Sequence, residues 1–208
     1  METRVVLQGR RSIRSYLSKP VEWWKIAEIL DAARFAPSAG NLQNWSFIVI
    51  ENQEKKKDVA EASLKQYWMV ESTLIVVCSR MDLINQYYGT RGEMLYSIQD
   101  CASAIQNMLL RAFDLGLGSC WIGAFDEDMV KRSLKIPAEI RVQAILTIGY
   151  SDEKVEMPSR HNLQELCYFE IWGGMKDDSV WPLAKHKAKI SEKTKKQLFP
   201  FLKLKKKE

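Results

Sequence analysis

The longest helical pattern in the chain, Glu93 to Leu115, sets the terms for everything around it. Apolar Leu95, Ile98, Ala102, Ile105, Leu109 and Ala112 recur at spacings of three and four, and few polar residues interrupt them. Such a helix belongs in the middle of a fold, buried on more than one side. Leu115-Gly116-Leu117-Gly118 then supplies the glycine expected at a helix C-cap. Short apolar or β-branched runs predict strands at Ser46–Ile50, Leu74–Ser79, Ser119–Phe125 and Val142–Gly149. Four further helices are predicted. One covers residues 1–9 with Val5, Val6 and Leu7 on its apolar side. One runs from Trp23 to Ala36 with Trp23, Ile26, Ala27, Leu30 and Ala33 on one face. One runs from Gln53 to about Gln66 with Val59, Ala62 and Leu64 inward, and one is capped by Asp126 and ends before Pro137. The polar, tyrosine-rich segment Met81–Arg91 reads as a loop over a site, and Tyr168–Trp172 as an edge strand before Gly173-Gly174.

Strands and long helices alternate irregularly, without a strict βαβ rhythm. The glycines from Gly116 to Gly123 follow a helix instead of a strand, the wrong order for a dinucleotide fingerprint. No P-loop sequence and no G-x-S-x-G elbow occurs. The cysteines Cys78, Cys101, Cys120 and Cys167 form no C-x-x-C pair, and only His161 and His186 accompany them, which argues against a metal site and for reduced thiols. No apolar run approaches the roughly 20 residues that span a membrane. The N-terminus lacks the pattern of a signal peptide, so a soluble, cytoplasmic protein is expected. At 208 residues and 46% apolar content the chain fits one domain with a real core, or one with an extension.

The net charge of +5 is not spread evenly. From Lys185 to Glu208 ten lysines face two glutamates, a local +8, so residues 1–184 are slightly acidic. A lysine-rich tail can touch nucleic acid or membranes, yet solvation or packing on a partner subunit is the commoner use. Membrane and nucleic acid are therefore not expected as partners.

What remains for chemistry is a set of arginines and small polar residues at turns. Arg10, Arg11, Ser12 and Arg14 offer forked donors and a hydroxyl suited to a phosphate. Pro37 stops the second helix, and Ser38, Ala39, Gly40 and Asn41 follow as small residues that let backbone approach a ligand. Such a set can hold a large, flat, anionic cofactor without supplying an acid, a base or a nucleophile. Cys120 reads as a buried small residue and Trp121 as core or the wall of a site. Tyr87 and Tyr88 read as either a lid or solvent-facing loop residues.

Four elements in order, RRSIRSY from Arg10, APSAGNLQNWSFIVI from Ala36, GLGSCWIGAF after the long helix, and Pro158-Ser159-Arg160 after the last core strand, resemble the nitroreductase family of FMN-dependent oxidoreductases. The resemblance spans about Arg4 to Trp172. It implies an α+β fold with a mixed sheet flanked by helices, and an intertwined homodimer with FMN at the subunit interface. It implies that residues 1–174 form the FMN domain and 175–208 a basic extension that packs on the partner subunit, with Phe199, Pro200, Phe201 and Leu202 as its apolar anchor. By position, Arg10, Arg11, Ser12 and Arg160 would hold the phosphate and ribityl chain, and Arg14 would lie at the pyrimidine edge. Pro37, Ser38, Ala39 and Asn41, with Gln43 nearby, would reach the flavin of the other protomer. Gly123 and Ala124 would present backbone N–H groups near the flavin N5. Asn44 stands where the family usually has proline in Gln-Pro-Trp. The implied reaction is reduction of a nitroaromatic, quinone or related small acceptor by NADH or NADPH in ping-pong fashion. Two alternatives stay open: other flavin chemistry on the same fold, such as dehalogenation or flavin breakdown, and a non-catalytic polyanion binder acting through the tail.

Overall fold

The computed structural model describes residues 1–175, in two compact units that divide between Val155 and Glu156. The first unit is built on a four-stranded sheet in the order β1-β2-β4-β3: β1 (Trp45–Ile50), β2 (Thr73–Arg80), β3 (Gly118–Ile122) and β4 (Ile140–Gly149). All three ladders are antiparallel. Parallel pairing enters through one bridge, Ser12 to Ser119, at the outer edge of β3, which makes the sheet mixed.

Period-two alternation sends successive β2 side chains to opposite faces, and both faces are covered. Ile75 and Val77 face a core of Ile26, Ile29 and Ala33 from α2 (Trp23–Arg34) and Cys101, Ala104, Ile105 and Met108 from α5 (Ser97–Asp114). Leu74, Val76 and Cys78 face Val59 and Ala62 of α3 (Gln53–Ala62) and Val130 of α6 (Glu127–Leu134). A bulge at Gln143 lets β4 keep both alignments: Val77 pairs Ala144 while Cys78 pairs Val142.

Several predicted faces are narrower than the sequence pattern. Trp23 and Ala27 of α2 are exposed, as is Leu7 of α1 (Thr3–Gly9), where Val6 carries the burial. Helix α3 stops at Ala62 because Leu64 and Lys65 both take left-handed φ values, and Leu64 turns outward instead of inward. The central helix ends as expected. Gly116, at φ 78°, lets its own N–H reach Phe113 O at 3.0 Å and that of Leu117 reach Ala112 O at 2.9 Å, a Schellman closure.

Two assignments change outright. Residues 81–91 are helical, α4 (Met81–Arg91), with a kink at Gly89 (φ 54°, ψ −149°), and a π turn, Gly92–Tyr96, leads on into α5. One side chain, Ile84, is its fully buried anchor, so no apolar stripe announces the helix. Residues 168–172 form no strand. The chain folds back on itself there, with Phe169 N–H bonded to Gly174 O and Glu170 at φ 66°. That segment and a one-turn helix, α7 (Leu163–Leu166), belong to the second unit. The lysine-rich extension and its 199–202 anchor lie outside the described residues. Among the described residues no helix is long and apolar enough to cross a membrane.

Candidate active site

The chain leaves α1 at Arg10, whose N–H still bonds Val6 O, and lies down along the outer edge of β3. Ile13 donates its N–H to Ser119 O at 2.9 Å and buries its side chain. Gly118 makes that approach possible: a Cβ there would stand 2.9 Å from Ile13 Cγ1. Tyr16 then drops into the core, its hydroxyl donating to Ile13 O at 2.8 Å and sharing a 2.7 Å bond with Thr147 Oγ1. Fixing Ile13 and Tyr16 leaves Arg10, Arg11, Ser12 and Arg14 together on the outside of the turn. Arg14 is exposed and the others are half-buried. Arg11 Nη1 folds back to the carbonyls of Gln8 and Arg10, each at 2.7 Å.

Beneath the turn lies Cys120. Burial pushes its thiol up, while Arg14, the Ser12 hydroxyl and Arg10 pull it the other way. The buried Ser119 Oγ has no hydrogen-bond partner. Farther along the same strand, Trp121 is exposed, and Gly123 and Ala124 follow the last paired residue with open space where a Gly123 side chain would be. Ser119 and Gly123 are four residues apart, about 13 Å along an extended strand. A cationic turn at one end of an edge strand and open backbone at the other can hold an extended anionic ligand along it.

A second group forms around the turn after α2. Ser38 is extended, Ala39–Asn41 make one 3-10 turn, and Gly40, Asn41 and Gln43 all have positive φ. Side chains hold this unfavourable backbone. Ser38 Oγ accepts the Gln43 N–H at 3.1 Å, Gln43 Nε2 reaches Asn41 Oδ1 at 3.3 Å, and Asp100 Oδ1 accepts the Ala39 N–H at 2.9 Å. Asp100 sits on the buried stripe of α5 with its second oxygen unpartnered. Burial pushes its carboxyl up, opposed by the Ala39 N–H. Asn44 is fully buried and neither atom of its amide finds a partner. Tyr88 of α4 closes over Gly40, where a Cβ would collide with its hydroxyl. The Tyr88 ring packs edge-on against Tyr96 at 5.2 Å, and the Tyr96 hydroxyl takes a hydrogen bond from Arg91 at 2.9 Å.

The structure thus gathers the sequence-predicted residues of the first unit into two sets and does not join them. Arg10, Arg11, Ser12 and Arg14 share β3 with Gly123 and Ala124. Pro37, Ser38, Ala39, Asn41 and Gln43 share one turn. The first set lies by the C-terminal end of α5, where Gly9 abuts Phe113; the second is tied to Asp100 in its first turn. Thirteen residues of helix separate these anchors, about 20 Å. Arg160 is an exposed residue of the second unit, its guanidinium turned to the carbonyls of Pro158 and Ser159.

The nitroreductase family profile matches residues 7–71 and 64–150. The chain belongs to the nitroreductase family. A candidate NADH dehydrogenase/NAD(P)H nitroreductase from Archaeoglobus fulgidus is 38% identical over 155 residues, covering 72% of this chain and 86% of that one. An NADH dehydrogenase from Thermus thermophilus is 28% identical over 183 residues, covering 74% and 89%. Among solved structures, an FMN-dependent nitroreductase from Clostridium difficile superposes with a TM-score of 0.70 at 28% identity, over 81% of this chain and 99% of that one. The α+β fold is thus the nitroreductase fold, and the chain is an oxidoreductase of that family.

Sequence reasoning passed over two residues of this neighbourhood, Asp100 and Glu153, and left a third, Tyr88, between a lid and a solvent-facing residue. Asp100 left a signal, a carboxylate on the buried stripe of an apolar helix. Glu153, which bonds the backbone of Arg14 and Ser15, left none, because its partners are 139 and 138 residues away. The contact of Tyr88 with Gly40 depends on α4 being a helix, which its polarity concealed.

Proposed function

We propose that this nitroreductase-family chain acts as a cytoplasmic homodimer that holds FMN, takes hydride from NADH or NADPH, and passes the electrons to a small acceptor such as a nitroaromatic or quinone. The observation that carries the reading is the cationic turn Arg10–Arg14 laid on the strand that ends at Gly123 and Ala124. The donor set fits FMN: two guanidinium groups and a hydroxyl for a phosphate, a third guanidinium, of Arg14, beside them for the ring, and exposed backbone some 13 Å along the strand. Bound FMN would supply the hydride-accepting and hydride-donating ring.

The chain's own residues bind and orient. Arg10 and Arg11 neutralise the phosphate, and the Ser12 hydroxyl donates a hydrogen bond to it. Arg14 puts a fixed positive charge where negative charge gathers on reduction, which favours the reduced cofactor. Gly123 and Ala124 offer N–H groups unobstructed by a side chain at Gly123. The turn from Pro37 to Gln43 is tied to the first turn of α5, about 20 Å along that helix from the anchor beside the cationic turn. Two chains packed with their α5 helices antiparallel would bring that turn of one to the cationic turn of the other, which is the support for a homodimer. One ligand face serving both reductant and acceptor gives ping-pong kinetics.

The test is a visible spectrum of the purified protein with added FMN, followed by anaerobic NADH, then NADPH, then a quinone. Binding of the yellow cofactor, bleaching by either nucleotide and recovery of colour with the quinone are the expected results. Uptake of FMN without bleaching would move the chain to other flavin chemistry. Failure to take up FMN would overturn the site.

A further inference from the structure

The carboxylate of Glu153 stands where the arginine turn leaves β3. Its Oε1 accepts two backbone N–H groups, from Arg14 at 2.5 Å and from Ser15 at 3.0 Å. Glu153 is itself held in place, since Ser151 Oγ accepts its N–H at 3.2 Å and donates to its carbonyl at 2.7 Å. One residue earlier, Asp152 donates its N–H to Ser15 O at 3.0 Å, and Tyr16 bridges Ser151. The segment after β4 is therefore tied to the turn in both directions, across about 140 residues of sequence. Its charge is felt below the turn as well. Burial is the largest influence on both Tyr16 and Cys120; beyond it, Glu153 pushes each group up while Arg14 pulls each down.

A carboxylate is an odd acceptor for this position. An amide oxygen would take the same two N–H bonds without repelling a phosphate or the negative charge of a reduced flavin. We propose that Glu153 is a positioning residue of the flavin site: it fixes the backbone of Arg14 and Ser15 and sets an opposing charge beside Arg14 that restrains how strongly the site favours reduced flavin. The proposal rests on the FMN reading given above.

Two variants of the full chain separate the bond from the charge. Glu153→Ala removes both. The amides of Arg14 and Ser15 should exchange with solvent faster before any cofactor is added, and FMN should bind about tenfold more weakly. Glu153→Gln keeps an acceptor oxygen and loses the charge. Its amide exchange should match wild type, its FMN affinity should be no weaker, and the preference for reduced over oxidised flavin should rise roughly threefold to tenfold, tenfold being about 30 mV in the midpoint potential of a two-electron couple. Circular dichroism checks that both variants fold. Unchanged exchange in Glu153→Ala, or a wild-type potential in Glu153→Gln, overturns the proposal. A wild-type protein that takes up no FMN overturns the flavin reading first and this one with it, so the two failures are told apart.

Discussion

Asp100 makes the stability of this protein depend on pH in the direction opposite to most carboxylates. Burial holds its folded-state pKa above the ordinary value, so the folded chain keeps this proton to a higher pH than the unfolded chain does. Above about pH 3.9, where an unperturbed Asp ionises, the folded state then binds more protons than the unfolded one, and stability falls as pH rises until Asp100 has ionised in both. Asp100→Asn retains an oxygen for the Ala39 N–H and removes the titration. In urea unfolding, its stability relative to wild type should grow between about pH 4 and pH 7. If wild type instead gains on the variant over that range, the site stabilises the anion and the burial argument is wrong. The residue pays for a contact that holds Ala39 in a turn where three of four residues, Gly40, Asn41 and Gln43, have positive φ.

Strand β3 is the element on which the cationic turn depends, and the two glycines at its start, Gly116 and Gly118, have different roles. Gly118 makes room for Ile13, whereas Gly116 needs only its φ of 78° and faces open space. Gly118→Ala should push Ile13 and the arginines off the strand and weaken FMN binding about tenfold. Gly116→Ala should cost about 1–2 kcal/mol of stability and leave FMN affinity alone. Equal affinity loss in both would mean that the turn is not held through Ile13. Elements were legible from sequence where one pattern fixes them: β2 and β4 by continuous apolar runs, α5 by its period, its end by Gly116. Helix α4 was not, because Ile84 is its lone fully buried side chain and a polar helix looks like a loop. The strand expected at Tyr168–Trp172 looked apolar enough, yet the turn that closes from Phe169 to Gly174 uses its backbone groups locally. Of the candidate site, the arginines and the Ser38–Gln43 turn could be read, since residue type and order carry them. Their mutual distance could not, because it depends on which end of α5 each turn packs against, through contacts remote in sequence.

At the scale of the whole molecule, that distance decides how many chains a site needs. If the two turns serve one ligand from two chains, damage to them should complement. Arg11→Ala and Asn41→Ala would each impair both sites of their own dimer. In a one-to-one mixture that has exchanged subunits, each hybrid carries one intact site and one doubly damaged site, so about a quarter of all sites should recover wild-type FMN affinity. A titration of the mixture that shows only the sum of the two weak variants would place both turns in one chain.

The π turn Gly92–Tyr96 has a consequence of a different kind. A π turn holds one residue more than the α-helical ladder can use. Loss of any single residue there would let the ladder close as ordinary helix and swing the incoming chain by about 100° around the axis of α5. Tyr88 would leave Gly40, and a different side chain would come to rest over the Ser38–Gln43 turn. Chain length within those five positions thus acts as a setting for what covers that turn, one that can be changed in a single step without touching the cationic turn on β3, at the expense of the buried seat of Ile84.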